Sequence, residues 1–359
     1  MSVDLFAPIR FARGPAMKNR FMLAPLTNLQ SHTDGRLSED EYQCLVMRAK
    51  GGFGLTMTCA SHVQVQGQGF PGQLGCFADT HVAGLTRLAT GIRTAGSLAF
   101  LQLHHAGIRS PAALIGMQPV GPSDDTATGA RALTTGEVEQ LTADFIAAAV
   151  RADKAGFDGV EAHGAHGYIL CQFLSRETNR RTDRYGGSLE NRGRLVFDIL
   201  HGTRARCRPD FALGLRLSPE RFGLELGEMR ELAQRLLHEG EIDFLDLSLW
   251  DAFKAPNEPA FAARPLIDWF TDLERGHVRI GTAGKITTAA SARRVLEHGA
   301  DFAIIGRGAV LHHDFPLQVR ANAHFEATTL PVTSDYLRAE GLGPAFIDYM
   351  RTWKGFVAA

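Results

Sequence analysis

His163, His166 and Tyr168 fall within one six-residue stretch. Two neutral imidazoles can donate hydrogen bonds to a single carbonyl oxygen and stabilise the charge that develops there. A phenol beside them can deliver a proton to carbon. Glu161 lies two residues before His163 and would share its side of an extended strand, so a metal site is the competing use of the same residues. That site would need further ligands, and no second cluster in the sequence supplies them. The expectation is therefore oxygen polarisation without a metal.

A second group of residues suits an anion. Gly281-Thr282-Ala283-Gly284-Lys285 and Gly306-Arg307-Gly308 each follow a short apolar run. Glycine lets backbone amides approach an anion closely, and a cation beside it adds attraction. Gly67-Gln68-Gly69-Phe70-Pro71-Gly72 matches the dinucleotide pattern letter for letter. That motif works only where it opens a helix directly after a strand. Pro71 and Gly72 lead instead into Gln73-Leu74-Gly75, a poor helix start, so this stretch reads as a loop.

The elements that hold these residues alternate along the whole chain. Apolar runs at 21–26, 54–59, 98–103, 157–162, 211–217, 242–249, 278–282 and 302–305 are continuous rather than alternating, the pattern of strands covered on both faces. Helical spacing lies between them, as in Leu141, Phe145, Ala148 and Ala152, or Leu232, Leu236 and Leu237. Thr134-x-x-Glu137 reads as a capping box. Eight such runs predict an α/β chain closed into a (β/α)8 TIM barrel, although the pattern alone also suits an open doubly wound sheet. The expected division is a barrel over 1–325 and a C-terminal extension over 326–359, packed on the barrel or on a neighbouring subunit. Residues 346–356 look amphipathic. The irregular stretch 104–133 follows the third run, where a barrel builds its active site.

In a barrel, strand C-terminal tips converge on one pocket. Those tips carry Thr27, Ala60, Gln102, His163 with His166, Arg216, Gly284 and Gly306 with Arg307, spread over seven of the eight runs.

Composition narrows the class. Among 359 residues, 38 Lys and Arg nearly balance 39 Asp and Glu, which gives no attraction to nucleic acid or an anionic membrane. Five cysteines stand without a C-x-x-C pair, so a disulfide framework, a zinc knuckle or an iron–sulfur cluster is not expected. The opening MSVDLFAPIRF lacks the form of a secretory signal. A cytoplasmic setting, with a homo-oligomer left open, is the expectation.

Longer motifs sharpen the reading. They are Asn19-Arg20-Phe21-Met22-Leu23-Ala24-Pro25-Leu26-Thr27, Gln102-Leu103-His104-His105-Ala106-Gly107, His163-Gly164-Ala165-His166-Gly167-Tyr168, the stretch from Asp183 to Arg192, Gly214-Leu215-Arg216-Leu217-Ser218-Pro219 and Gly306-Arg307. Together they resemble the Old Yellow Enzyme family of flavin oxidoreductases, from about Asn19 to Leu317. The resemblance implies non-covalent FMN and NADH or NADPH as reductant. It implies that Pro25, Leu26 and Thr27 line the flavin, that Ala60 packs on it, that Gln102 bonds its pyrimidine edge and that Arg216 sits at N1 and O2. Gly284, Gly306 and Arg307 would hold the phosphate. His163 and His166 would grip the substrate oxygen, His163 also bordering the flavin, and Tyr168 would be the proton donor. Departures are Arg176 after Ser175, Lys285 after Gly284, and Leu29 where one branch has a tyrosine.

The reaction so implied is reduction of an electron-poor alkene, carbonyl- or nitro-activated, by ping-pong hydride transfer. The rival is a phosphate-binding barrel lyase with Lys285 or Lys254 as a Schiff-base amine.

Overall fold

The eight apolar runs become eight parallel strands that close on themselves. In the computed structural model, which describes residues 3–358, the strands are β1 (Phe21–Leu23), β2 (Leu55–His62), β3 (Leu98–His104), β6 (Gly159–Gly164), β7 (Ala212–Leu217), β8 (Phe244–Ser248), β9 (Arg279–Ala283) and β10 (Phe302–Ile305). Between β3 and β6, β4 (Val120–Gly121) and β5 (Arg131–Ala132) form a separate two-stranded sheet. The barrel order is β1-β10-β9-β8-β7-β6-β3-β2, which settles the (β/α)8 TIM barrel against the open sheet.

The helices between strands follow the apolar spacing. Helix Thr135–Lys154 buries Leu141, Phe145, Ala148 and Ala152 against the barrel, and the Thr134–Glu137 capping box starts it. Helix Leu226–Glu239 buries Leu232, Leu236 and Leu237. The glycine-rich stretch at 67–72 opens no helix; a single 3-10 turn, Val65–Gly67, precedes it.

Two strands depart most from expectation, each for a local reason, while the run at 157–162 is shifted to Gly159–Gly164 and so takes in His163. The run at 21–26 stops pairing early: the Ala24 amide still donates to Ile305 O at 3.0 Å, but Pro25 has no amide to continue the ladder. The second run continues to His62 through a register shift between Met57 and Ala60. Ala60 therefore lies inside a bulged strand rather than at its tip, and such bulges re-aim side chains beside active sites.

One barrel end is filled by aromatic rings. An N-terminal hairpin, bridged at Ile9 and Met17, inserts Phe11 against Phe100, Phe244 and Phe302 at centroid distances of 6.4, 5.4 and 6.2 Å. Each of those three strand phenylalanines faces a glycine on the neighbouring strand: Phe100 and Gly159, Phe244 and Gly214, Phe302 and Gly281. A Cβ on these glycines would come within 2.4, 2.1 and 2.1 Å of the rings, so larger residues there would overpack the core. Chemistry is left to the opposite, strand C-terminal end.

The C-terminal residues cover part of that end. Helix Pro344–Arg351 buries Phe346, Ile347 and Met350 in a cluster with Val310 and Leu311 of the same chain. Among the described residues, no helix is long and apolar enough to cross a membrane.

Candidate active site

A cavity of about 1390 Å³ opens at the C-terminal ends of the strands. All twelve residues singled out from the sequence line it: Pro25, Leu26, Thr27, Ala60, Gln102, His163, His166, Tyr168, Arg216, Gly284, Gly306 and Arg307. Its size exceeds the roughly 300–1,000 Å³ of a pocket for one small ligand.

The deepest polar residues form one network. Gln102 Nε2 donates to Glu161 Oε1 at 2.7 Å, and Arg216 Nε lies 3.0 Å from Asp246 Oδ2. Burial pushes the carboxyls of Glu161 and Asp246 up, and the Arg216 charge opposes this. Glu161 Oε2 and both carboxylate oxygens of Asp246 have no hydrogen-bond donor. Burial, together with the charge of one carboxyl on the other, disfavours ionising both at once.

The imidazole pair is arranged differently from the expectation. His163 Nε2 lies 3.1 Å from His166 Nδ1, so the rings are closed on each other. His166 Nε2 meets Ser248 Oγ at 2.7 Å, while His163 Nδ1 is buried without a partner. A shared oxygen can be held by both only if the rings part. Burial, then the neighbouring positive groups, hold both far below the usual histidine range and hence neutral. His166 has φ +62°, a left-handed conformation that costs a non-glycine residue energy. Ser218 Oγ accepts from its amide at 3.0 Å, and its carbonyl accepts from Arg109 Nη1 at 2.5 Å. The one group of three potential metal ligands among the described residues, His313, Asp314 and Glu340, contains neither imidazole.

Tyr168 stands directly before helix Ile169–Leu174. Its ring packs edge-on against His104 at 4.4 Å and His163 at 5.1 Å. Burial pushes the phenol pKa up, and Arg109 pulls it down.

Several lining residues were not singled out from the sequence. Phe346, Tyr349, Met350 and Trp353 bring the C-terminal segment to the cavity. Arg109 comes from the irregular stretch after β3. Arg221, Phe222 and Trp250 also line it, all three at positive φ. Ser248 ends β8; the strand-tip rule, applied to the run at 242–249, would have found it.

The residues suit FMN by their own chemistry. Gly284 packs so closely that a Cβ would lie 2.6 Å from the Ala252 amide. Gly306 faces open space, its nearest neighbour 3.9 Å from such a Cβ. Arg307 is exposed beside it, a cation next to an open glycine turn, as a phosphate site requires. Pro25, Leu26 and Ala60 offer an apolar lining, and Gln102 and Arg216 offer donors further in.

Comparison with known proteins agrees with this geometry. The NADH:flavin oxidoreductase / NADH oxidase family matches residues 4–326. The chain is 36% identical over 337 residues to a probable NADH-dependent flavin oxidoreductase, YqiG, of Bacillus subtilis (strain 168), covering 91% of this chain and 90% of the relative. Among solved structures, the old yellow enzyme homologue from Zymomonas mobilis superposes with a TM-score of 0.80 at 29% identity, covering 97% of this chain and 99% of that one. Morphinone reductase does so with a TM-score of 0.79 at 26% identity, covering 97% and 96%. The motifs, the barrel and its cavity thus converge with these matches: the chain belongs to the NADH:flavin oxidoreductase / NADH oxidase family, the Old Yellow Enzymes, and is an FMN-dependent NAD(P)H oxidoreductase.

Proposed function

We propose that this protein is an ene-reductase that reduces the C=C bond of α,β-unsaturated carbonyl or nitro compounds in a ping-pong cycle. The observation that carries this is the meeting of His163, His166 and Tyr168 in the cavity that also holds the flavin-type lining. Non-covalently bound FMN would supply hydride acceptance from NADH or NADPH and hydride donation to the β-carbon of the alkene. The chain's residues do the rest. His163 and His166 are neutral and able to donate, so they hold the carbonyl or nitro oxygen and stabilise charge that grows there only as reduction proceeds. Tyr168 gives its phenol proton to the α-carbon. Gln102 and Arg216 hold the pyrimidine side of the flavin, and Gly284, Gly306 and Arg307 hold the phosphate.

The barrel over 1–325 carries this chemistry, and 326–359 acts as a cap that narrows the mouth through Phe346, Tyr349, Met350 and Trp353. The lyase reading is disfavoured because both amines are engaged by carboxylates, Lys254 by Glu220 and Lys285 by Asp251. A Schiff-base lysine has to be free to attack.

Tyr168→Phe tests the reading. Flavin reduction by NAD(P)H, followed by stopped-flow absorbance, is expected to stay near the parental rate. Reoxidation by 2-cyclohexenone is expected to slow, while reoxidation by a quinone, which needs no carbon protonation, stays fast. Parental reoxidation by the enone in this variant would remove Tyr168 as the donor.

A further inference from the structure

Ser248 lies between two groups that the proposed function uses separately. Its Oγ sits 2.7 Å from His166 Nε2 and 3.5 Å from Arg216 Nη2. The strand register explains this placement. Arg216 on β7 is paired with Asp246 on β8, and Ser248, two residues further along β8, shares the face of Asp246. The same guanidinium therefore meets a carboxylate through Nε and a hydroxyl through Nη2.

A guanidinium has five N–H donors and no acceptor. Whatever lies beside it must turn an oxygen lone pair toward it. At 3.5 Å the contact is long, and the orientation is set mainly by the cation's field on the hydroxyl dipole. The serine hydrogen then points away from Arg216. Within hydrogen-bond reach among the described residues, the other neighbour of Oγ is His166 Nε2. Donation to that nitrogen requires it to be the unprotonated one. If His166 instead donated from Nε2, the hydroxyl would have no protein acceptor among the described residues, at a cost comparable to a lost hydrogen bond.

We propose that Ser248 is a positioning residue: oriented by Arg216, it locks His166 in the tautomer that carries its proton on Nδ1. The consequence is chemical, because Nδ1 is the nitrogen that faces His163 at 3.1 Å. A proton on Nδ1 makes that face of His166 a donor to an oxygen; a proton on Nε2 would present a lone pair and repel the same oxygen. Backbone pinning of His166 by Ser218 and Arg109 fixes where the ring stands, and Ser248 fixes which of its nitrogens is protonated. A further result follows for His163. In the closed pair its Nε2 accepts from His166, so its own proton sits on Nδ1, the buried nitrogen without a partner, a cost of the closed arrangement that moving this proton to Nε2 removes. Joint donation to a substrate oxygen then requires His163 to change tautomer when the rings part, while His166 does not.

The inference rests on the reading of His166 as an oxygen-holding residue, and the experiment separates the two. FMN-loaded protein labelled with 15N-histidine is examined by long-range 1H–15N correlation, with His166→Gln identifying the resonances. The parent is expected to show Nδ1 protonated and Nε2 unprotonated at His166. Ser248→Ala is expected to shift population toward the Nε2-protonated form and to slow enone-dependent reoxidation roughly tenfold, the scale of one hydrogen bond. Reduction by NAD(P)H should change far less than reoxidation, and Ser248→Thr, which keeps the hydroxyl, should restore both tautomer and rate. A parental His166 protonated on Nε2 overturns the inference even if the Ala variant fails to fold, and so does an unchanged tautomer in Ser248→Ala. If His166→Ala reoxidises with the enone at the parental rate, the underlying reading of His166 falls, whatever tautomer the spectra report.

Discussion

Arg109 lies over the ring of Tyr168, its guanidinium carbon 4.7 Å from the ring centroid, while the same side chain donates to the His166 carbonyl. A cation on the ring face favours the phenolate that remains after proton donation. Burial alone would make Tyr168 a weaker acid, and Arg109 works against it. Arg109→Ala is therefore expected to move the Tyr168 pKa further up and slow alkene reduction. Ultraviolet phenol titration, with Tyr168→Phe subtracted, reads the shift. An unmoved titration would leave Arg109 a mere loop clamp.

Replacing His163 or His166 with Ala should slow the oxidative half-reaction by about 100- to 1000-fold, the usual loss for one donor to developing charge. Single-turnover flavin reoxidation measures it. Nicotinamide binding can also suffer, yet hydride transfer to the flavin needs no polarised oxygen and should change far less. Equal slowing of both half-reactions would mean that the pair shapes the cavity without acting on oxygen.

Arg307→Ala should weaken FMN retention by roughly one to two decades, as expected for a charge-assisted contact. Equilibrium dialysis against free FMN gives the ratio, and acid precipitation of the parent should release all yellow colour to the supernatant. Parental affinity in the variant would move the phosphate site elsewhere; colour left in the pellet would contradict non-covalent binding.

Acid should weaken the fold through buried neutral histidines. Burial lowers His62 to about 4 and His105 to about 3. Because the folded value lies below the unfolded one, the unfolded chain binds more protons once pH drops below about 6.5, and stability falls with pH. His62 alone accounts for about 3 kcal/mol lost by pH 4. Urea midpoints across this range should decline less steeply in His62→Gln. Comparing the two proteins isolates this group from buried carboxyls such as Glu41, whose raised pKa acts with the opposite sign. Identical slopes in both would refute the assignment.

What the sequence could show depended on what each residue answers to. The barrel was legible because strands covered on both faces must be apolar throughout, and nine of the twelve cavity residues because strand tips converge; Tyr168 followed from its place beside the imidazoles, and Pro25 and Leu26 came only with the family resemblance. The most family-specific motif, Asp183 to Arg192, turns out to hold architecture. Asp183 pairs with Arg181 and accepts from Thr135 at 2.7 Å, and Arg192 is buried against Glu228 at 2.6 Å. Spacing could not reveal that the imidazoles face each other, since the backbone of His166 is pinned by Ser218 and Arg109 from other parts of the chain. Nor could it place Trp353 and Tyr349 at the cavity, because a C-terminal helix docks wherever its apolar face finds cover.

The ring of Phe11 among Phe100, Phe244 and Phe302 has a consequence for traffic. With the far end of the barrel plugged by aromatic rings, the proposed cycle brings reductant and oxidant in turn to the same cavity, whose lining includes Trp250 and Trp353. Whichever partner arrives out of turn stands in the way of the other. An alkene supplied in large excess should therefore hold back its own reduction, and added NAD(P)H should relieve the block by competing for entry.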